Sequence, residues 1–393
     1  MPHGPSAFLA VLSAAILGPP DDPAVRRVRP DPSTGTPAAV VVPAETALLF
    51  TSQALAPSEP TANPSPDQLA SEVLDRLDFA LRAVGSGLDR AVRLHVVLDD
   101  PGLLPALRST LAGRFPDGNG PGLTVVVGAL PRPWLRIAAD AVATTDRDAV
   151  GRIPRAPVSI SVLPAGPRVF VSGQAEPADD LATATRETLL GLAETLDHLG
   201  IGADQVVQLK AFYAPGDSAE VVEREVIAFF EASLPPPLVL VEWESDLPIE
   251  IELVAAAPGP GGDGPIDYLE TPKLAASPVF SRVARVNRGD LVFTSGLLGP
   301  ADSDGVGQVG AIFDELAEIL GEAGGDLDHL AKATYYVSDD DASRALNDLR
   351  PRYYDPERPP AASKAQVPGV GPPDRSLTLD MIAVVPARSS QDP

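Results

Sequence analysis

Three stretches of the chain repeat one order of elements, and that repetition limits the possible folds more than any other feature. The clearest copy runs from Asp290 to Pro386. It opens on Leu291-Val292-Phe293-Thr294-Ser295-Gly296, an apolar run that ends in a compact turn. A glycine-rich loop, a helical pattern, the stop Gly324-Gly325, Asp328 and an alternating run through Tyr335 to Val337 follow. The same order recurs after Leu48 to Ser52 and after Arg168 to Gln174. Taking the glycine behind the helix as anchor aligns Gly85, Gly200 and Gly324, with Asp89, Asp204 and Asp328 just beyond. The copies lie about 115 to 125 residues apart, too far for a solenoid repeat and right for a small domain.

Apolar periodicity places the elements inside each copy. In the first repeat, taken as 38–145, Ala39 to Val42 and Ala47 to Ser52 predict two strands joined by a turn at Pro43 to Glu45. Leu69, Val73, Leu77, Leu81 and Val84 recur three or four apart and predict a helix over 67–84, capped by Asp67 and stopped by Gly85. Val92, Leu94, Val96 and Leu98 alternate as a strand, 103–115 reads as a second helix, and 123–127 with 135–143 close the unit. The second repeat (156–257) and the third (278–386) follow the same scheme. The third should open on a strand over 280–286 that turns at Asn287 to Gly289 into the Leu291 strand. Each unit thus reads β-β-α-β-α-β-β, an α+β arrangement, with 258–277 as a Pro/Gly linker. Two helices can cover only one face of each sheet, yet Leu238 to Val241 is apolar on both. The simplest cover is sheet against sheet in a closed ring, an intramolecular pseudo-trimer that stays monomeric.

Charge and composition narrow the function. The 54 acidic and 30 basic residues give a formal net charge of −24, a field against which nucleic acid would have to bind. With no cysteine there is no disulfide, thiolate metal site or thiol nucleophile, and no apolar run reaches membrane-spanning length. His3, His95, His198 and His329 never pair at ligand spacing, so no metal site is expected. Residues 1–37 stand outside the repeats. There Ala7 to Leu17 has the length of a signal-peptide core, which favours a secreted or periplasmic location, although only His3 stands where the basic residues belong. A plain N-terminal arm is the alternative, and Pro19 to Pro37 reads as linker.

The ordered pieces of the third repeat resemble the RidA (reactive intermediate deaminase, YjgF/L-PSP) family. They are Phe293-Thr294-Ser295-Gly296, Glu322-Ala323-Gly324-Gly325, Leu327-Asp328, Lys332-Ala333-Thr334, Arg358 to Ser363 and Leu377 to Ala383, with Asn347 ahead of Tyr353-Tyr354. The resemblance implies chorismate-mutase-like units with ligand pockets between them. It also implies cofactor-free deamination of small 2-imino or enamino acids, in which an arginine holds the substrate carboxylate and a glutamate orients water. Here Ala362 stands at the arginine position. The glutamate position holds Ala138, Glu250 and Thr378, so Glu250 is the one candidate catalytic carboxylate.

Lys364, two residues past Ala362, shares its strand face and can offer an ammonium in the arginine's place. A solvated strand lysine is its plain alternative. Asn347, Ser172, Gly173, Gln174, Ser295, Gly296 and Thr378 match family pocket positions and are the remaining substrate-binding candidates. The enzyme reading stands beside a second, in which degenerate pockets hold a small carboxylate without chemistry or serve as scaffold. The endoribonuclease label some relatives carry is disfavoured by the acidic charge.

Overall fold

The structure is a computed structural model and describes residues 25–387 apart from 58, 60, 62, 155–156, 215, 217, 231–232 and 272–276. The apolar run over 7–17, and the export reading attached to it, lie outside the described residues. Among the described residues the helices are α1 (Pro66–Arg82), α2 (Leu104–Arg114), α3 (Leu181–His198), α4 (Ala219–Phe229), α5 (Gly305–Ala323) and α6 (Asp340–Leu349). None is long and apolar enough to cross a membrane. The stripe Leu69, Val73, Leu77 and Leu81 is the buried face of α1. Its cap is Ser65 rather than Asp67: the Ser65 hydroxyl accepts from the Gln68 N–H at 3.3 Å and the Gln68 amide accepts from Ser65 N–H at 2.8 Å.

Strands alternate with these helices and form three mixed sheets. In the first sheet the order is Gly122–Val127, Ala91–Leu98, Ile137–Thr145, Ala47–Thr51, Ile160–Leu163, Gly151–Ile153. The second runs Leu238–Glu242, Val206–Tyr213, Ile249–Ala256, Arg168–Gln174, Val283–Val286, Ile266–Leu269. The third runs Ala361–Gln366, Leu330–Val337, Leu377–Val385, Asp290–Thr294, Thr36–Val42, Arg26–Asp31. The first pair of each order is parallel, because α2, α4 or α6 carries the chain back across the sheet.

Two sequence expectations change at this level. The leading strand of each repeat does not form a hairpin with the strand after it. Val283–Val286 pairs with Arg168–Val171 of the second sheet, Ile160–Leu163 pairs with Ala47–Thr51 of the first, and Ala39–Val42 pairs with Leu291–Thr294 of the third. Each short turn therefore steps between sheets, and Thr36–Val42 lies in the sheet of the last unit beside Asp290–Thr294. Alternation reports that a strand exists but not which neighbour accepts its hydrogen bonds. The stretches read as linkers also hold edge strands, Arg26–Asp31 and Ile266–Leu269. Pro30 and Pro37 sit in that edge ladder, where a missing N–H is tolerated.

One face of each sheet packs on its own helix pair, giving three separate apolar clusters. The opposite faces meet in two shared clusters. Phe50, Phe170, Phe293 and Val384 belong to one, and Val97, Phe212, Tyr336 and Trp243 to the other. Both draw on all three sheets, so the helix-free faces are out of water.

Candidate functional site

The junction of the second and third sheets gathers most of the candidate residues. Ser172 and Gly173 end the strand Arg168–Gln174, where a bulge interrupts its pairing with Ile249–Ala256. Across the junction lies the strand Ala361–Gln366. Ala362 N–H donates to Ser172 Oγ at 2.7 Å, Gly173 N–H donates to Ser363 Oγ at 3.2 Å, and Ser172 Oγ donates to the Ser281 carbonyl at 2.6 Å. Glu250 lies directly over Gly173: a Cβ there would stand 2.0 Å from Glu250 Oε1, so only glycine lets the carboxyl approach this backbone.

Lys364 comes from the third sheet and is half-buried. Its Nζ donates to Ser343 Oγ at 3.0 Å and to Asn347 Oδ1 at 3.3 Å, both on α6. Arg350, in the turn after α6, donates from Nη2 to the same Asn347 oxygen at 3.4 Å, and its guanidinium lies 5.2 Å over the Tyr335 ring. Burial, seconded by the Glu252 carboxylate, pushes the Glu250 carboxyl up to about 7, and the Ser363 hydroxyl with Lys332 and Lys364 only partly offsets this. Lys364 is held below the usual lysine range by burial and by Arg350, with Glu250 pulling the other way. A carboxyl poised near neutrality beside a cation suits proton transfer.

Behind Glu250 a fully buried polar network links the sheets. Glu252 receives Lys332 Nζ at 2.6 Å, and Lys210 Nζ lies 4.0 Å from its other oxygen. Lys210 donates to Tyr336 Oη at 3.2 Å, Tyr336 lies 3.2 Å from His95 Nε2, and His95 Nδ1 lies 2.8 Å from Asp140. Burial and the nearby Lys210 push the His95 imidazole down, so it stays neutral and donates from Nδ1 to Asp140. Burial opposes the Glu252 charge, yet Lys332 and Lys210 hold it below the ordinary carboxylate range. Arg93 pairs with Asp380 in the same interior, both side chains under one-tenth exposed.

The other two junctions are built differently. Strand register puts Ala138 opposite Val97, Glu250 opposite Phe212 and Thr378 opposite Tyr336, so the three positions correspond and the second unit alone has a carboxylate. Ser295, Gly296 and Thr378 meet where the third sheet touches the first, away from Glu250. Ser295 Oγ accepts from Leu123 N–H at 2.9 Å and donates to the Pro37 carbonyl at 2.6 Å, while Gly296 N–H donates to the Leu123 carbonyl at 2.9 Å. A Cβ on Gly296 would lie 2.8 Å from Thr378 Oγ1, which leaves these groups to hold backbone together. At the third junction Gln53 bonds both backbone groups of Leu240, at 3.0 and 3.1 Å. Gln174 turns away onto α3, where its amide donates to Thr195 Oγ1 at 2.8 Å.

Glu250, Lys364, Asn347, Ser172 and Gly173 are thus brought together, and Ser295, Gly296, Thr378 and Gln174 are not. Sequence reading missed Ser363 and Arg350. Arg350 carried one local signal, its spacing of three from Asn347, which places both on one side of a helical turn.

The comparisons with known proteins come from one part of the chain and from its fold. Residues 271–385 match the family described as endoribonuclease L-PSP. A YjgF-family protein from Neisseria meningitidis is 20% identical, with 31% of this chain and 97% of that chain covered at a TM-score of 0.24. A YjgF-family member from Mycobacterium tuberculosis is 19% identical over 30% of this chain and 99% of its own, at a TM-score of 0.23. A chorismatase structure aligns over 86% of this chain and 99% of its own, with 11% identity and a TM-score of 0.27. Among curated proteins, none matches. The likeness to the L-PSP family is thus carried by residues 271–385, the third of the three stretches that share one order of elements.

Proposed function

We propose that the chain is an intramolecular pseudo-trimer with one working junction, which hydrolyses imines or enamines of small carboxylic acids without a cofactor. The observation that carries this reading is Glu250 over Gly173, its carboxyl near neutrality, with Lys364 and Asn347 reaching the same junction from the third unit. Lys364 attracts the substrate carboxylate. Glu250 takes a proton from water as the water oxygen bonds to the imine carbon. That proton passes on to nitrogen, giving the neutral carbinolamine. As its C–N bond breaks, the hydroxyl oxygen gives up its own proton by way of Glu250 to the departing nitrogen and forms the C=O bond, leaving a 2-oxo acid and ammonia. No electron acceptor is needed.

Ammonia release from imines made in situ by an amino-acid oxidase should exceed the uncatalysed rate. Lys364→Met should raise KM about tenfold, with a smaller change in kcat, as expected for loss of binding shared by ground and transition states. Ala362, standing where the family's arginine is expected, favours a second reading as a non-catalytic carboxylate binder. Binding of a 2-oxo acid with no acceleration of ammonia release would select that reading. Endoribonuclease action is set aside on the net charge of −24. Light scattering should give the mass of a single chain, because the shared clusters already cover the sheet faces that separate subunits would use. A particle of three chains would overturn the pseudo-trimer.

A further inference from the structure

Two cations at the Glu250 junction share one neutral acceptor. Lys364 Nζ and Arg350 Nη2 both donate to Asn347 Oδ1, at 3.3 and 3.4 Å. Among the described residues neither forms an ion pair with a carboxylate, whereas Arg93, Lys332 and Lys210 in the neighbouring interior all have acidic partners. Arg350 is only 6% exposed, and its Nε has no hydrogen-bond partner among the described residues. A buried guanidinium with an idle N–H and an aromatic face beneath it is incomplete as a purely structural group.

The charges that bear on Lys364 are Arg350 and Glu250. Glu250 can neutralise at most one of the two cations, and when it is protonated it neutralises neither. We infer that the ligand of this junction carries two anionic groups, a 2-oxo or 2-imino dicarboxylate, with Lys364 taking one carboxylate and Arg350 the other. The inference deepens the function proposed above and rests on that placement of the ligand. The two residue types suit the two ends. The lysine is a point charge beside the reacting centre, and the planar guanidinium is a fork that grips a distal carboxylate through two N–H groups.

The test is calorimetry on the full chain with 2-oxoglutarate and pyruvate, which share the 2-oxo acid and differ in the second carboxylate. The wild type should bind 2-oxoglutarate at least about tenfold more tightly. Arg350→Met should bring its affinity down to that of pyruvate and leave pyruvate nearly unchanged, whereas Lys364→Met should weaken both. Because Arg350 is buried, Arg350→Lys serves as the variant that keeps the charge. It should fold and lose at least about threefold of the preference, since an ammonium lacks the fork. Equal affinity of the wild type for the two acids overturns the inference, and so does an unchanged preference in Arg350→Lys. If the dicarboxylate preference stands while no imine is hydrolysed, the deaminase reading fails and this one survives. If imines are hydrolysed with no such preference, the reverse holds.

Discussion

Glu250→Gln should lower kcat/KM for imine hydrolysis by about 100- to 10,000-fold, the range for removal of a positioned general acid–base group. Glutamine keeps the shape of the side chain and its reach to Ser363 but cannot take a proton from water. KM should stay near the wild-type value, because Lys364 and Asn347 are untouched. In the wild type the rate should rise with pH through about 7 as the carboxyl loses its proton, and that limb should vanish in the variant.

Stability runs the other way. Burial lifts this carboxyl from its ordinary 4.5 to about 7, so the folded state holds the proton more tightly than the unfolded chain. The associated stability is fully present below about 4.5 and is lost as pH rises through about 7. Above pH 7 the glutamine variant should therefore be the more stable protein and the less active one. A loss of activity under about threefold, or a pH limb that survives the substitution, removes Glu250 as the base.

Asp380→Ala should destabilise the fold by about 3–5 kcal/mol, the cost of leaving a buried charge without its partner. Arg93 of the first sheet and Asp380 of the third are both under one-tenth exposed, and Arg93 Nε donates to Asp380 Oδ2 at 2.9 Å. Removing the carboxylate strands a buried guanidinium near Tyr336, with Asp140 as the next acid that acts on it. Replacing both partners by apolar residues of similar volume, Arg93→Met with Asp380→Leu, should recover most of the loss, since no charge is then left behind. Urea unfolding would show both effects as shifts of the midpoint at an unchanged slope. A midpoint for Asp380→Ala within about 1 kcal/mol of wild type would mean that water reaches Arg93 and that the interior is not sealed.

The helix stripes and the α+β character were legible along the chain because they depend on local periodicity. Leu69, Val73, Leu77 and Leu81 share a face of α1 whatever lies opposite, and Gly85 takes its left-handed conformation (φ +87°) as a helix stop should. Glu250 and Lys364 were legible as candidates because residue type and strand alternation name them singly. Their meeting at one junction depends on two strands far apart in sequence, and no periodicity reports that.

The strand exchange was hidden for the same reason. Val283–Val286 has the composition of a strand in either sheet, and only the geometry of the step at Asn287 to Gly289 sends it to Arg168–Val171. Arg350 shows the limit most plainly. In sequence it is one arginine after a helix, and its meaning comes from burial with no carboxylate paired to it among the described residues, a setting that exists only once α6, Tyr335 and Lys364 are packed together. Local patterning determined the elements and the chemical types on each face. Tertiary packing decided which faces meet, because desolvation and partner choice belong to surfaces that are distant in the chain.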